Sequence, residues 1–251
     1  MRAWMWSRTF GSVLFFSLAL SLLGASAAQA LSLDFESLSH GEVVKAGLGD
    51  VQIDALNPNR GFDLAVGFDT SLSGTADLDL EMGGGWSSGN IAGERLGTIL
   101  ILQENDLGCD VGICSNPDDE GRRPAGDLSF AFGTSVLDFG LDLVDIDNAL
   151  VEDGSLEFFD GAASVTISFA EFIDPKSAFY DDTIEFGNNS ANRISPLSAK
   201  ALGLEEIDGV TVHLGGSGGV DNLTGTIVPE PSTAILSLLG LMGLASVGRR
   251  F

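Results

Sequence analysis

Short segments of strand-like pattern, separated by turn-forming residues, constrain the fold of this chain most strongly. Residues 31–36 alternate apolar and polar side chains, which is the period of a strand with one buried face. Gly, Asn, Asp and Pro, which favour turns, separate this segment from others of its kind. The other predicted strands are residues 51–55, 62–68, 76–81, 97–103, 127–132, 136–144, 155–159, 164–169, 178–186, 209–214 and 219–227. This pattern predicts an all-β fold, an antiparallel jelly-roll-like β-sandwich.

Helical signals are few beside these strands. The clearest lies in residues 195–203, where Ser195 suits an N-cap, Pro196 the first turn and Gly203 the C-terminal cap. A second short helical turn is predicted at residues 170–173. We therefore expect helices to contribute little to the fold.

The N-terminal segment has the organisation of a secretory signal peptide. Arg2 and Arg8 give it a basic start, residues 13–23 form an apolar core, and a small-x-small cleavage site ends at Ala30. We therefore predict that residues 1–30 are a signal peptide. A permanent N-terminal membrane anchor is the alternative.

The C-terminal segment, residues 228–251, has three parts in order. The tripeptide Pro229-Glu230-Pro231 precedes an uncharged apolar run at residues 233–247, and the pair Arg249-Arg250 follows. As a helix this run would be about 22 Å long, which is shorter than the ~30 Å hydrocarbon core of a bilayer. It predicts a short transmembrane helix that inserts with local thinning, with the Arg pair on the cytoplasmic side. A core helix or a plain membrane anchor is the alternative.

This tripartite tail closely resembles the PEP-CTERM sorting signal of exported bacterial proteins. The resemblance covers residues 229–251 and implies processing near the tripeptide by an exosortase, a membrane cysteine protease of the inner membrane. It further implies transient anchoring there, followed by delivery to the cell surface or the exopolysaccharide matrix. Residues 116–126, 185–194 and 215–223 also resemble segments of uncharacterised secreted proteins with this signal. Between the two ends, residues 31–227 are predicted to form one acidic β-sandwich domain.

The chain is strongly acidic, with 12 Lys and Arg against 36 Asp and Glu and a formal net charge of −24. Four of the basic residues lie in the two end segments, so the central domain is more acidic than the whole chain. Such a surface repels nucleic acid and anionic lipid, which argues against nucleic acid as a partner. Divalent cations would relieve the self-repulsion of this surface. Solubility alone is the alternative explanation of the charge.

The two cysteines, Cys109 and Cys114, lie in one long loop with four residues between them. In an exported chain this spacing favours a disulfide that closes a small loop and adds local rigidity. A metal site with two thiolate ligands is the alternative, although no further Cys or nearby His completes it.

Calcium is the predicted cofactor, because several carboxylates lie on the first and last predicted strands. Asp34 and Glu36 lie on the first strand and Asp221 and Asn222 on the last, and these two strands often run side by side in a jelly roll. The arrangement is similar to β-sandwich carbohydrate-binding modules, in which an early Glu and a late Asp hold a structural calcium. The resemblance implies Glu36 and Asp221 as ligands. Polar residues on the solvent face of edge strands are the alternative.

A second group of acidic residues lies in the long loop at residues 103–126, the longest irregular segment of the chain. Their spacing does not fit an EF-hand, so they are either a second calcium site or a solvated loop. The residues are Asp106, Asp110, Asp118, Asp119 and Glu120.

Three observations bear on the function class. Trp86, in a glycine-rich loop, is the predicted exposed platform for a sugar ligand. His40 and His213 have no G-x-S-x-G elbow nearby, and no pair of carboxylates is singled out as a glycosidase pair. We therefore expect a non-enzymatic exported protein of the cell surface or matrix, with exopolysaccharide as a candidate partner. The alternative is a secreted carbohydrate-binding module or glycan-acting enzyme.

Overall fold

The fold was obtained as a computed structural model, and the structure describes residues 29–228. The predicted signal peptide and the predicted sorting tail, residues 1–28 and 229–251, lie outside the described residues. In the part of the chain that is described, no helix has both the length and the apolar character needed to cross a membrane.

The described chain is mainly β, with three short helical segments. A 3₁₀ turn covers Cys109–Val111, α1 covers Phe169–Ile173 and α2 covers Ala199–Leu202. The strands are β1 (Ala30–Leu33), β2 (Val51–Leu56), β3 (Ala65–Asp69), β4 (Thr98–Leu102), β5 (Gly126–Val144), β6 (Ser155–Asp160), β7 (Ala163–Ser168), β8 (Ala191–Ser198), β9 (Ile207–Leu214) and β10 (Gly219–Ile227). All of them join one antiparallel sheet, which confirms the predicted all-β antiparallel class.

Strand β5 connects the whole sheet, because it pairs directly with β2, β8, β9 and β10. Its first half pairs with β2 on one edge and with β9 on the other, in register over residues 127–131. Its second half pairs with β8 and β10, with register shifts that mark irregular pairing. Val136 pairs with both β9 and β10, so these two strands lie on opposite edges of β5.

The remaining strands extend from these two halves. The first half continues through β9 to β6 and β7, and the second half continues through β10 to β4 and β3. Strand β1 pairs with β10 from Ala30 opposite Thr226 to Leu33 opposite Leu223. The first and last strands of the domain are therefore neighbours.

The main hydrophobic core receives side chains from both halves of the sheet. Phe130, from the first half of β5, and Leu141, from its second half, belong to the same buried cluster. Phe139 lies edge-on to Phe158 of β6, with ring centroids 6.2 Å apart. Burying such apolar side chains is the main stabilising contribution to a domain of this size.

A second, smaller core covers the other face of the β3–β4 side of the sheet. Strand β4 is an unbroken apolar run, and its Leu100 and Leu102 face the main core while Ile99 and Ile101 face the second one. This division follows from the period of two in a strand. Residues 70–97 lie over this second core, into which they insert Leu80, Met82, Trp86, Ile91 and Leu96.

The structure corrects two predicted strands, residues 76–81 and residues 178–186, which form turns instead. In both segments an Asp side chain accepts hydrogen bonds from backbone N–H groups two or three residues later. Asp77 Oδ1 accepts from Asp79 and Leu80, and Asp181 Oδ1 accepts from Thr183. These local bonds compete with strand pairing and hold the backbone in a turn.

The predicted helix at residues 195–203 is wrong in its first part, because residues 195–198 belong to β8. Leu197 pairs with Phe139 of β5, and this pairing overrides the local helical signal. Only α2 forms, with Ser198 rather than Ser195 as its N-cap. The predicted cap at Gly203 is confirmed, with a left-handed φ of 78°. The short helix predicted at residues 170–173 is also confirmed, as α1.

We predict that Phe139→Ala lowers the free energy of unfolding by about 3–5 kcal/mol, because the ring is 1% exposed and its loss leaves a cavity. Denaturant unfolding of the purified protein measures the change. Leu137→Ala is the matched control on the same strand, since Leu137 is 41% exposed and its loss should cost less than about 1 kcal/mol. Equal losses for the two variants would contradict the assignment of Phe139 to the core.

Candidate metal centre

Residues 116–120 run beside the end of β4 and bring two adjacent carboxylates, Asp118 and Asp119, against the sheet. The fully buried Gln103 accepts a hydrogen bond from the backbone N–H of Asp118 at 3.2 Å. The backbone N–H of Glu120 donates to the carbonyl oxygen of Leu102 at 2.9 Å. These bonds on either side of Asp119 fix the position of its side chain.

Asp119 is 7% exposed and reaches the turn between β9 and β10, where its Oδ2 accepts a hydrogen bond from the backbone N–H of Gly218. Gly218 has a φ of 142°, a conformation that favours glycine. A Cβ at this position would lie 2.8 Å from Ile146 Cδ1 and 2.9 Å from the carbonyl oxygen of Val144. Glycine is therefore needed for this turn to approach the carboxylate.

Asp77 approaches the side chain of Asp119 from residues 70–97, the segment that covers the second core. Its Oδ1 accepts hydrogen bonds from the backbone N–H groups of Asp79 and Leu80, at 3.1 and 3.3 Å. Leu80 is fully buried and anchors the turn. The other carboxylate oxygen, Asp77 Oδ2, is buried and has no hydrogen-bond partner in the described structure.

Asp77, Asp118 and Asp119 each offer one carboxylate oxygen, and these oxygens lie within 4.8 Å of one another. Burial raises the pKa of Asp119 well above its usual range, and the negative charge of Asp77 raises it further. Burial and the negative charge of Asp77 also raise the pKa of Asp118 to about 6. Burial raises the pKa of Asp77 itself. Without a counter-charge these groups therefore retain protons that free carboxyl groups lose.

Asp145 adds a fourth acidic group to this region. It follows the end of β5, and its Oδ1 accepts a hydrogen bond from the backbone N–H of Asn189. Burial raises its pKa to about 7, and the charges of Asp147 and Asp77 contribute. The side chain of Asn189 in turn donates to the carbonyl oxygen of Asp79 at 2.6 Å, which ties the segment before β8 to the Asp77 turn.

The structure divides the five acidic loop residues that the sequence grouped together. Asp118 and Asp119 enter the cluster, whereas Asp106 and Asp110 are exposed on the cysteine side of the loop. Glu120 is buried and pairs with Arg60 at 2.6 Å, which lowers its pKa despite burial. Asp77 was not predicted, because its segment was assigned to a strand and no sequence signal links it to a loop 40 residues away.

Glu36 and Asp221, the predicted calcium ligands, come close enough for the charge of Glu36 to raise the pKa of Asp221. Burial is the larger cause and, with the charge of Asp142, brings this pKa to about 8. Asp221 is 1% exposed, and its Oδ1 is buried without a hydrogen-bond partner among the described residues. Glu36 accepts a hydrogen bond from the backbone N–H of Thr98 at 2.9 Å. Calcium at this pair stays a prediction.

Asp142, next to Asp221 in the pairing of β5 with β10, already has its charge compensated. The guanidinium of Arg193 donates to both oxygens of Asp142, each at 2.8 Å, and Asn222 donates to Oδ2 at 2.9 Å. A buried carboxylate needs such partners, because unpaired burial of a charge costs several kcal/mol. Asp221 has no comparable cationic partner in residues 29–228.

The two cysteines form a disulfide. Both side chains are buried in the second core, and the 3₁₀ turn begins at Cys109. The bond closes a loop on which Val111 and Ile113 are exposed. The structure therefore has the disulfide geometry that the loop spacing favoured over a thiolate metal site.

Trp86 differs from the expectation of an exposed sugar platform. The side chain is 5% exposed and packs in the second core, and its indole N–H donates to the carbonyl oxygen of Glu94 at 3.2 Å. The glycine-rich loop folds over the sheet, because Leu80, Met82 and Ile91 beside it are apolar and are stabilised by burial from solvent. Trp86 therefore offers no open ring face to a ligand.

Both histidines have partners within the fold. His40 Nδ1 accepts a hydrogen bond from the backbone N–H of Asp69 at 3.1 Å. His213 of β9 lies between two carboxyl groups of the neighbouring strands. Asp127 of β5 is 2.7 Å from its Nδ1, and Glu157 of β6 is 3.2 Å from its Nε2. Each imidazole thus links neighbouring segments of the sheet.

Comparisons with protein-family models, with curated proteins and with solved structures find no match for this chain.

We predict that the chelator-treated protein loses stability as the pH rises from about 4 to 8. Folded Asp221 keeps its proton up to a pKa of about 8, whereas the unfolded chain loses it near the usual Asp value of about 3.9. The folded state then binds more protons, so the free energy of unfolding falls with rising pH, by up to about 1.4 kcal/mol per pH unit for one group.

Urea unfolding at several pH values in chelator measures this slope. Asp221→Asn should reduce it, and Asp182→Asn, at an exposed position, is the control that should leave it unchanged. An identical slope in Asp221→Asn and the parent would show that Asp221 is ionised in the folded protein.

Proposed function

We propose that the protein is exported and acts, without catalysing a reaction, at the cell surface or in the extracellular matrix. Its C-terminal tail would be recognised and processed by an exosortase in the inner membrane. The three parts of the tail support this proposal, as does the apolar N-terminal segment with its small-x-small site.

The structural observation that carries the proposal is the Cys109–Cys114 disulfide. Disulfides persist in oxidising compartments outside the cytoplasm and are rare inside it. Here both cysteines are used in one bond, and the two side chains pack in a core rather than lying free on the surface. A fold that uses a disulfide in this way is suited to an extracellular location.

The acidic surface supports a role in a hydrated matrix. With a net charge of −24, the chain repels copies of itself and other polyanions, which keeps it soluble. We propose exopolysaccharide as the surrounding material, and divalent cations as the link between acidic protein and acidic polymer.

The burial of the facing carboxyl groups favours a non-enzymatic protein over the alternative of a glycan-acting enzyme. A glycosidase needs two carboxyl groups on either side of a bond in an accessible site. Asp77 and Asp119, which do face one another, are only 8% and 7% exposed. The burial of Trp86 likewise weakens the proposal of a carbohydrate-binding module.

For the finer architecture, we propose a jelly-roll-like sandwich in which the two halves of β5 belong to opposite layers. The shared core of Phe130 and Leu141 supports this, as does the contact of Phe139 with Phe158. The adjacency of β1 and β10 is also typical of such a topology.

We predict that replacing both Pro229 and Pro231 by Ala blocks processing of the tail in the natural host. The reason is that the tripeptide marks the processing region in the sorting signal that this tail resembles. Mass spectrometry of the parent from the cell surface should find a mature N-terminus near Leu31 and a C-terminus near residue 229. The variant should stay in the membrane fraction with an intact tail.

Pro175→Ala, an exposed substitution far from the tail in sequence, is the control and should be processed like the parent. Finding the parent uncut in the cytosol, or the double variant trimmed and released normally, would overturn the proposed sorting route.

A further inference from the structure

We propose that Asp77, Asp118 and Asp119 form a binding site for one hard divalent cation such as Ca²⁺, which fastens the loops at one end of the sheet. This site is separate from the predicted Glu36–Asp221 pair. The proposal of this site does not depend on export of the protein.

The spacing of the three carboxylates suits a single ion. Calcium is bound by oxygens at about 2.3–2.6 Å, so any two of its ligands lie no more than about 5 Å apart. One oxygen from each of the three residues lies within 4.8 Å of the other two. The three oxygens are therefore close enough together to surround one cation after small side-chain movements.

The unpartnered oxygen of Asp77 points to a ligand independently of the acidic character of the cluster. Asp77 is 8% exposed, and its Oδ1 is occupied by the N–H groups of its own turn. Oδ2 is buried and accepts no hydrogen bond from an N–H or O–H group of residues 29–228. The facing carboxyl group of Asp119 can hydrogen-bond to Asp77 only when one of the two is protonated. Leaving a buried carboxylate oxygen unpaired costs free energy that a bound cation would offset.

Two arginines of the described residues, Arg60 and Arg193, form salt bridges with other acids. Arg60 pairs with Glu120 and Glu104, and Arg193 pairs with Asp142 and Glu94. Within the described range, none of the three cluster carboxylates lies in a salt bridge. The charge of Arg60 reaches Asp118 from a distance, but no cationic side chain bonds to the cluster directly. A proton or an external cation could supply that direct counter-charge.

The chemistry of the donors selects a hard cation. All three ligands are carboxylate oxygens, which suit Ca²⁺ and Mg²⁺ better than metals that prefer nitrogen or sulfur. The cysteines are joined in a disulfide, and both histidines are bonded elsewhere in the fold. A zinc site therefore lacks its usual ligands in residues 29–228.

A cation here would join segments that are distant in sequence. Asp77 belongs to the segment over the second core, and Asp118 and Asp119 belong to the long loop at residues 103–126. Gly218 adds the β9–β10 turn through its hydrogen bond to Asp119. Binding would replace repulsion between the first two segments by shared coordination. The expected result is a protein whose loop end is more stable with the ion than without it.

Calorimetric titration of the chelator-treated, purified full chain with CaCl₂ near pH 7.5 tests the proposal. The parent should bind one Ca²⁺ at a site distinct from weak surface binding and should unfold at a higher temperature with Ca²⁺ than with chelator. Asp77→Asn and Asp119→Asn should each weaken this binding more than about tenfold, the loss that even residues supporting a metal ligand cause.

Two matched variants serve as controls. Asp110→Asn removes an exposed charge from the same loop, and Glu36→Gln removes a ligand of the other predicted site, so both should keep the tight Ca²⁺ site. Asn fits the space of Asp and removes repulsion, so Asp77→Asn and Asp119→Asn should unfold in chelator no earlier than the parent. Absence of a one-to-one Ca²⁺ site in the parent, or its retention in both cluster variants, would overturn the proposal.

Discussion

The pairing of β5 with four other strands is the interaction on which the rest of the structure depends. Strands β2 and β9 bond to its first half and β8 and β10 to its second, and every other strand reaches β5 through one of these four. Both hydrophobic cores touch its second half, because Leu141 and Leu143 face one core and Val144 the other. Without this strand, no series of paired strands would link the two halves of the sheet.

The acidic groups of interest are also arranged around the second half of β5. Asp142 lies on the strand and Asp145 follows it, while Asp221 lies on the neighbouring β10. These carboxylates are buried because the sheet is covered on both faces at this point. Their negative charges are compensated in different ways. Asp142 has a guanidinium and Asp145 has a backbone N–H. Asp77 and Asp119 accept backbone N–H groups but have no salt bridge among residues 29–228. The buried carboxyl groups of Asp77 and Asp119, which have no cationic side chain as a partner, are the basis of the cation site that we propose.

The sequence was sufficient for the strand class and for most strand positions, because alternation and turn residues are local signals. It failed where a side chain reorganised the local backbone, as Asp77 and Asp181 do in their turns. It also failed at Leu197, where pairing with β5 prevails over a helical pattern, and at Trp86, whose burial depends on a second core that no local pattern reveals. Asp118 and Asp119 were recognisable as a candidate pair, but their partner Asp77 could come only from the three-dimensional fold.

Native-state hydrogen exchange of the β5 amides is the most direct test that this one strand unites the sheet. Amides of residues 128–131 and 139–144, where they bond to neighbouring strands, should exchange only through global unfolding and give one common free energy of opening. Exchange of one half at a clearly lower free energy than the other would mean that the two halves unfold separately, and would contradict the account.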